Sequence, residues 1–136
     1  MKILVIGTGQ LARFRIAAFQ QDPRIRSVAV ASSSHDRGAT VATEMSADAG
    51  GNLDEMLQGG ADAIVIASVT SQHAQHIRRA LTLGAPILCE KPIAPTIGES
   101  RDVVAAADAA GVAIQIGFQR RFDPGLREAH TRPHCC

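Results

Sequence analysis

The sequence predicts an α/β fold in which a doubly wound, mainly parallel sheet lies between two layers of helices, a three-layer α/β/α architecture. Short apolar runs alternate along the chain with longer segments that have a helical spacing of apolar residues. The apolar runs show little alternation with polar residues, so both faces of each strand are expected to be buried, as in parallel sheets. With 136 residues, of which 46% are hydrophobic, the chain is long enough for one domain with its own core.

The first strand is predicted at residues 2–6 and leads into a glycine-rich turn, Gly7-Thr8-Gly9-Gln10-Leu11-Ala12. Gly7 permits a sharp turn, Gly9 lets a pyrophosphate approach the backbone, and Ala12 allows close packing of the following helix. The free N–H groups at the start of that helix face the anion. This GxGxxA pattern predicts a dinucleotide-binding Rossmann fold, and the alternative is a glycine turn that binds nothing. The predicted cofactor contacts in this turn are Gly7, Thr8, Gly9, Gln10 and Leu11.

The remaining elements are predicted from the same two periodicities. Further strands are predicted at 27–31, 63–67, 86–89 and 112–116. Helices are predicted near 10–21, 36–45, 71–83 and 97–110. Residues 45–60 are rich in Gly and Asp and contain one short amphipathic piece, so this crossover is expected to be short or irregular.

The composition excludes several classes of protein. A formal net charge of +1 gives no basic field that would attract nucleic acid or an anionic membrane. No apolar stretch is long enough for a membrane span, and Gly7 and Gly9 interrupt the apolar start, so no signal peptide is predicted. The protein is therefore expected to be cytoplasmic. Cys89 is predicted to be a core residue, and Cys135 and Cys136 lack the spacing of metal ligands, so no metal site is predicted.

The loop after the second predicted strand favours NADP over NAD as the cofactor. An NAD site usually has Asp or Glu at this point, where the carboxylate holds the 2′-hydroxyl of the adenosine ribose. Here the strand runs into Ser32-Ser33-Ser34, whose hydroxyls can donate to a 2′-phosphate, and Arg37 is near enough to pair with it. The alternative is that Ser34 or Asp36 only caps the next helix and that Arg37 is solvated.

Three further motifs follow in order along the chain. They are residues 61–73, residues 84–92 with an EKP tripeptide at 90–92, and residues 117–124 with the sequence GFQRRFDP. Together they resemble the glucose–fructose oxidoreductase, inositol dehydrogenase and MocA-like family, over residues 1 to about 125. The resemblance implies a nicotinamide dinucleotide cofactor and hydride transfer between the nicotinamide and a hydroxyl or carbonyl of a sugar or polyol.

The resemblance also assigns a catalytic role to Lys91. This lysine follows a strand, where ligands bind in open α/β sheets, and the family uses it with an Asp and a His of a following domain to polarise the substrate hydroxyl. The alternative is an ordinary exposed lysine. Glu90 is expected to orient Lys91 or a ribose, or to be a plain surface carboxylate. Relatives also imply a cis bond before Pro92, which aims the lysine into the cleft.

The other family positions carry weaker signals. His73 matches a position near the nicotinamide ribose, and the alternative is a contact at the start of a helix. Ser68 and Val69 stand where the family more commonly has Thr-Pro. The histidines predicted to be surface residues are His76, His130 and His134. The remaining predicted cofactor contacts are Ala67, Ser68, Val69, His73, Glu90 and Lys91.

The end of the chain departs from the family. Full-length relatives continue into an α+β substrate domain, whereas this chain ends in a polar segment with Pro133 and no strand-like alternation. The predicted organisation is an NAD(P)-binding domain at 1–125 and a short irregular tail at 126–136, with the substrate domain absent. Two functions stay open, an oxidoreductase truncated to its cofactor-binding domain and a non-catalytic NAD(P)-binding module or inactive remnant. Uncovered apolar surface around Phe118 and Phe122 favours a homo-oligomer.

Overall fold

The computed structural model describes residues 1–131 and shows a six-stranded, all-parallel sheet with helices on both faces, which confirms the predicted fold class. The strands are β1 (Lys2–Ile6), β2 (Ser27–Ser32), β3 (Ala49–Asn52), β4 (Ala63–Ile66), β5 (Ile87–Glu90) and β6 (Ile114–Gly117). The helices are α1 (Gln10–Gln20), α2 (His35–Glu44), α3 (Leu53–Gln58), α4 (Thr70–Ala80), α5 (Ile97–Ala110) and α6 (Pro124–Thr131). Short 3-10 turns at Leu81–Leu83 and Gln119–Phe122 follow α4 and β6.

The strand order β3-β2-β1-β4-β5-β6 reverses direction at β1. The chain builds outward from β1 through β2 and β3, and then returns to the other side of β1 with β4. The connections on either side of this switch point leave in opposite directions, so a crevice opens at the carboxyl ends of β1 and β4. Backbone hydrogen bonds of 2.9 Å, from Gly7 to the carbonyl of Ala31 and from Ala67 to that of Ile6, hold the strand ends together there.

Strand β1 is buried on both faces, which explains its continuous apolar run. Leu4 and Ile6 belong to the core cluster that faces α4 and α5, whereas Ile3 and Val5 belong to the cluster that faces α1 and α2. Cys89 is fully buried in the first cluster, as predicted. The two clusters make the sheet the middle layer of a sandwich.

The crossover at 45–60 is more regular than the sequence predicts. Residues Ala49–Asn52 form β3, parallel to β2, and Leu53–Gln58 form α3. A capping box begins α3: the Asn52 side chain accepts from the N–H of Glu55, and the Glu55 carboxylate accepts from the N–H of Asn52. The expectation of a short crossover is confirmed, since α3 has six residues and lies at the predicted amphipathic piece. Strand β3 is not predicted, because a strand of Ala, Gly and Asn lacks the β-branched residues that signal one.

Helix α6 occupies part of the segment that was expected to be irregular. The Asp123 carboxylate accepts a hydrogen bond of 3.0 Å from the N–H of Leu126, and Pro124 stands at the first helical position. Both residues are favourable at these positions, because the Asp side chain accepts from a free N–H of the first turn and Pro has no N–H that would need an intrahelical partner. The expected irregular tail is thus helical over 126–131, and residues 132–136 lie outside the described residues.

Candidate functional site

The turn between β1 and α1 leaves the start of α1 open to the crevice. Gly7 has a φ of 135°, and a Cβ at this position would lie 2.5 Å from the carbonyl oxygen of Ala67. Gly9 caps α1 with an extended backbone, and no side chain there accepts from the first N–H groups of the helix. A Cβ on Gly9 would meet no atom within 4 Å. The free N–H groups and the positive end of the helix dipole therefore face open space that suits an anion.

A cleft of about 340 Å³ opens in front of this turn. The predicted contacts that line the cleft are Gly7, Thr8, Gly9, Ser32, Ser33, Arg37, Ser68 and Val69. Those that do not line it are Gln10, Leu11, Ser34, Ala67, His73, Glu90 and Lys91. The lining residues that the sequence did not predict as contacts are Ile6, Ala31, Gln72 and His76. The cleft thus joins the loops after β1, β2 and β4, because parallel strands end at the same edge of the sheet.

Arg37 connects two walls of the cleft. Its Nε donates to Oγ1 of Thr8 at 2.9 Å, which ties α2 to the glycine-rich turn. The Ser34 hydroxyl accepts from the N–H of Arg37 at 3.4 Å and caps α2, as one of the two alternatives for Ser34 predicts. The other N–H groups of the Arg37 side chain have no partner within residues 1–131. They remain free to donate to a ligand anion.

His73 links two loops at the edge of the sheet. Its side chain is buried, with Nδ1 2.8 Å from the carbonyl oxygen of Pro92 and Nε2 3.0 Å from that of Ser68. This geometry matches the alternative of a contact at the start of α4. The ring holds the loop that carries Lys91 against the loop after β4.

His76 is part of the cleft wall, so its prediction as a surface residue is wrong. The ring is half-buried, and its Nδ1 lies 2.8 Å from the Ser68 hydroxyl oxygen. Burial, and secondly the charge of His73, lowers the pKa of His76 below the usual 6.5. The cleft therefore contains a neutral imidazole near neutral pH. The sequence does not predict the pair of Ser68 and His76, because the two residues are eight positions apart and come together only once α4 has formed beside the loop after β4.

The lowered pKa of His76 predicts a specific dependence of stability on pH. The unfolded chain protonates this histidine near pH 6.5 and the folded chain only at lower pH, so its contribution to stability is present above 6.5 and is lost as the pH falls through the folded value. We expect His76→Gln to lose less stability than the parent between about pH 7.5 and about pH 5. Urea denaturation followed by circular dichroism measures this. His130→Gln, on the exposed helix α6, should behave as the parent, and an unchanged pH dependence for His76→Gln would contradict the assignment.

Glu90 and Lys91 lie side by side at the end of β5 but in different environments. Glu90 is 3% exposed, which excludes the alternative of a surface carboxylate. Its Oε1 accepts from Nε (2.9 Å) and Nη2 (2.6 Å) of Arg15, and its Oε2 accepts from Nε2 of Gln119 at 2.6 Å. Lys91 is exposed, makes no hydrogen bond or ion pair within residues 1–131, and precedes a cis peptide bond, as predicted. Its amine is available to a ligand at this edge.

Two kinds of site are missing from residues 1–131. No three of the His, Cys, Asp and Glu side chains in that range are grouped so that they could hold a metal ion. None of the helices in the same range combines the length and the apolar character that crossing a bilayer requires.

The fold and the glycine-rich turn at its switch point define a dinucleotide-binding Rossmann domain. The profile of an oxidoreductase family with an NAD-binding Rossmann fold, the Gfo/Idh/MocA family, matches residues 1–118. The chain belongs to this family, which confirms the resemblance found in its motifs.

Named relatives agree with this assignment. Inositol 2-dehydrogenase from Acidiphilium cryptum is 31% identical over 132 residues, which cover 93% of this chain and 39% of that protein. The uncharacterized oxidoreductase YrbE from Bacillus subtilis is 29% identical over 129 residues, which cover 93% of this chain and 38% of YrbE. The chain therefore spans about 40% of the length of these relatives and corresponds to their N-terminal part.

Solved structures show the same partial match. GenD2 from gentamicin A biosynthesis, solved in complex with NAD, superposes on this chain with a TM-score of 0.84 at 26% identity. The superposed region covers 96% of this chain and 38% of GenD2. UDP-N-acetylglucosamine 3-dehydrogenase GnnA from Acidithiobacillus ferrooxidans superposes with a TM-score of 0.81 at 27% identity. Here the superposed region covers 96% of this chain and 42% of GnnA.

Proposed function

We propose that this chain is the cofactor-binding part of an NAD(P)-dependent dehydrogenase that transfers hydride between the nicotinamide and a hydroxyl or carbonyl of a sugar or polyol. The observation that carries the proposal is the open N-terminus of α1 behind Gly9, at the switch point of a parallel sheet. The names of the relatives, an inositol and an amino-sugar nucleotide dehydrogenase, support the substrate class. The proposed domain comprises residues 1–125.

In this proposal the pyrophosphate lies on the turn at Gly7, Thr8 and Gly9, where backbone N–H groups donate to it. Lys91 accepts or returns the proton of the substrate hydroxyl, because its amine is exposed and unpaired at the same edge of the sheet. His73 positions Lys91 through the carbonyl of the next residue. NAD(P) supplies the hydride acceptor or donor when it is bound.

We propose NADP as the preferred dinucleotide. The loop after β2 carries Ser32 and Ser33 on the cleft wall and no carboxylate, so nothing there repels a 2′-phosphate. Arg37 lies on the same wall with donors to spare. GenD2 was solved with NAD, so a preference for NADP would distinguish this chain from that relative.

The cofactor preference predicts a simple affinity measurement. NADPH should bind more tightly than NADH, and Arg37→Ala should weaken NADPH about ten- to a hundredfold, equal to roughly 1.5–3 kcal/mol for a charge-assisted contact. NADH should change little. Arg37→Lys, which keeps the charge but not the fork of donors, should lie between the two. Titration by cofactor fluorescence measures all three proteins, and equal affinities of the parent for NADPH and NADH would contradict the preference.

The second candidate function is an NAD(P)-binding module without turnover. Its support is that Lys91 is exposed and has no hydrogen-bonding or charged partner within residues 1–131, whereas hydride transfer needs substrate held against the nicotinamide by groups on several sides. The two candidates differ in one experiment: after NADPH binding is shown, the 136-residue chain is assayed with a panel of inositols and sugars. Turnover that depends on Lys91 supports the enzyme, and binding alone supports the module.

We also propose that the chain associates with itself. Phe118, Phe122 and Leu126, which are spaced four positions apart, are exposed. A groove of about 460 Å³ with mainly apolar walls lies on the face of β4, β5 and β6 that faces away from α4 and α5. Parallel sheets normally bury both faces. Light scattering on the purified chain tests this proposal.

The cytoplasm is the proposed location. Cys89 is a free, buried thiol, and burial, with a smaller effect of the charge on Glu90, raises its pKa to about 12. An unpaired and unreactive core thiol suits a reducing compartment.

A further inference from the structure

The carboxylate of Glu90 is a buried junction between three parts of the chain. Arg15 comes from α1, the helix whose N-terminus faces the cleft, and Gln119 comes from the turn after β6. Both oxygens of Glu90 are occupied, with three donated hydrogen bonds of 2.6 to 2.9 Å. Each oxygen of the carboxylate thus has a donor within the protein.

The lack of a side chain at Gly117 makes room for the Glu90 carboxylate. Gly117 pairs with Glu90 in the parallel register of β5 and β6, and a Cβ on Gly117 would lie 2.8 Å from Oε2 of Glu90. The guanidinium of Arg15 is paired with Glu90, and Arg15 does not line the cleft. Arg15 is therefore not placed to serve as a phosphate ligand.

A buried ion pair is a poor way to gain stability, because desolvation of both charges offsets their attraction. The pair does fix the orientation of the Glu90 carboxylate, because Arg15 donates two N–H groups to one oxygen and Gln119 donates to the other. The residue that follows Glu90 at the end of β5 is Lys91. The junction thus ties the helix behind the proposed pyrophosphate site to the lysine of the proposed reaction.

We propose that Arg15 and Gln119 are positioning residues, which act through Glu90 to hold Lys91 and the nicotinamide end of the cofactor site in register with the pyrophosphate turn. This inference rests on the proposed function and deepens it. It requires that disruption of the junction weakens recognition of the nicotinamide half of the cofactor and leaves recognition of the adenosine half intact.

Two ligands isolate the contribution of the nicotinamide ring: NADPH, and 2′-phospho-ADP-ribose, which keeps both riboses and the pyrophosphate but lacks the ring. The chain contains two lysines, Lys91 and Lys2. Lys2 lies at the amino end of β1, where its Nζ donates to the carbonyl of Gly59 at 2.7 Å. Reductive methylation with a ¹³C label keeps the lysine charge and gives each lysine its own NMR signal. Lys2 is therefore an internal reference for Lys91.

In the parent chain both ligands should bind, and the Lys91 signal should shift with NADPH but not with 2′-phospho-ADP-ribose. Arg15→Met should weaken NADPH about tenfold, leave 2′-phospho-ADP-ribose within about twofold, and abolish the Lys91 response. Arg15→Lys should restore part of both NADPH effects. Arg13→Met is the matched control, because Arg13 is on the same helix and pairs with Glu44 at the surface.

Gln119→Leu should produce the same pattern more weakly, and it keeps the test decisive where Arg15→Met does not fold. Unchanged NADPH affinity and an unchanged Lys91 response in these variants would overturn the inference. Equal weakening of both ligands would also overturn it, because that is the signature of a structural role alone. If the NMR signal of Lys91 in the parent does not shift when NADPH binds, the inference is overturned as well. If the parent binds neither ligand but binds NADH, only the preference for NADP fails, and the same variants are compared with NADH and ADP-ribose. If the parent binds no dinucleotide, the proposed function itself fails, and this inference fails with it.

Discussion

Gly38→Ala is expected to lower the free energy of unfolding by about 3 kcal/mol, near the upper end of the usual cost of overpacking. A Cβ at Gly38 would lie 2.1 Å from the carbonyl oxygen and 2.6 Å from the nitrogen of Gly51. Both atoms belong to the backbone of β3, so neither can rotate away as a side chain can. Helix α2 would have to move off the edge strand, and the midpoint of thermal unfolding should fall by roughly 10 °C.

Gly98→Ala is the matched control, because it also places alanine inside a helix. The nearest atom to a Cβ on Gly98 is the Thr96 hydroxyl oxygen at 4.0 Å. Alanine should therefore leave stability unchanged or raise it by about 0.5–1 kcal/mol through better helix propensity. Thermal unfolding followed by circular dichroism compares the two variants. A Gly38→Ala protein as stable as the parent would show that α2 does not pack on the backbone of β3.

The same contact explains why the sequence does not predict β3. Residues Ala49–Asn52 have no β-branched or aromatic side chain, and two adjacent glycines are typical of a loop. Gly38 and Gly51 lie thirteen positions apart, and their lack of side chains matters only once α2 has folded back over the sheet. By contrast, β1 was predictable because its own residues are apolar on both faces.

The candidate site divides in the same way. The glycines of the turn stand at a fixed spacing between β1 and the start of α1, so the position of the turn follows from the sequence, although the contact of Gly7 with Ala67 does not. The pairing of Glu90 with Arg15 joins residues 75 positions apart. Nothing in the spacing of charged residues along the chain marks two of them as partners. Such pairs follow from the order of strands in the sheet, which brings the end of β5 near the flank of α1.

Gly9→Ala is expected to abolish most dinucleotide binding while the fold persists. The backbone of Gly9 has a φ of −74°, which any residue adopts, and a Cβ there would meet no protein atom within 4 Å. Loss of stability should stay below about 1 kcal/mol, the usual range for a change of helix cap without a side-chain hydrogen bond. The same Cβ would project into the space in front of α1, where the pyrophosphate has to approach the backbone. NADPH affinity should therefore fall about a hundredfold or more, equal to roughly 2.7 kcal/mol.

Gly7→Ala provides the contrast, because the two glycines of the turn serve different purposes. At Gly7 the φ of 135° and the carbonyl of Ala67 at 2.5 Å from a Cβ both oppose alanine, so this variant should lose stability and binding together. Gly9→Ala should lose binding alone, and Gly98→Ala neither. Thermal unfolding and NADPH titration on all three variants separate these outcomes. A Gly9→Ala protein that binds NADPH within about threefold of the parent would mean that the dinucleotide does not rest on this turn, since a Cβ in its path costs far more.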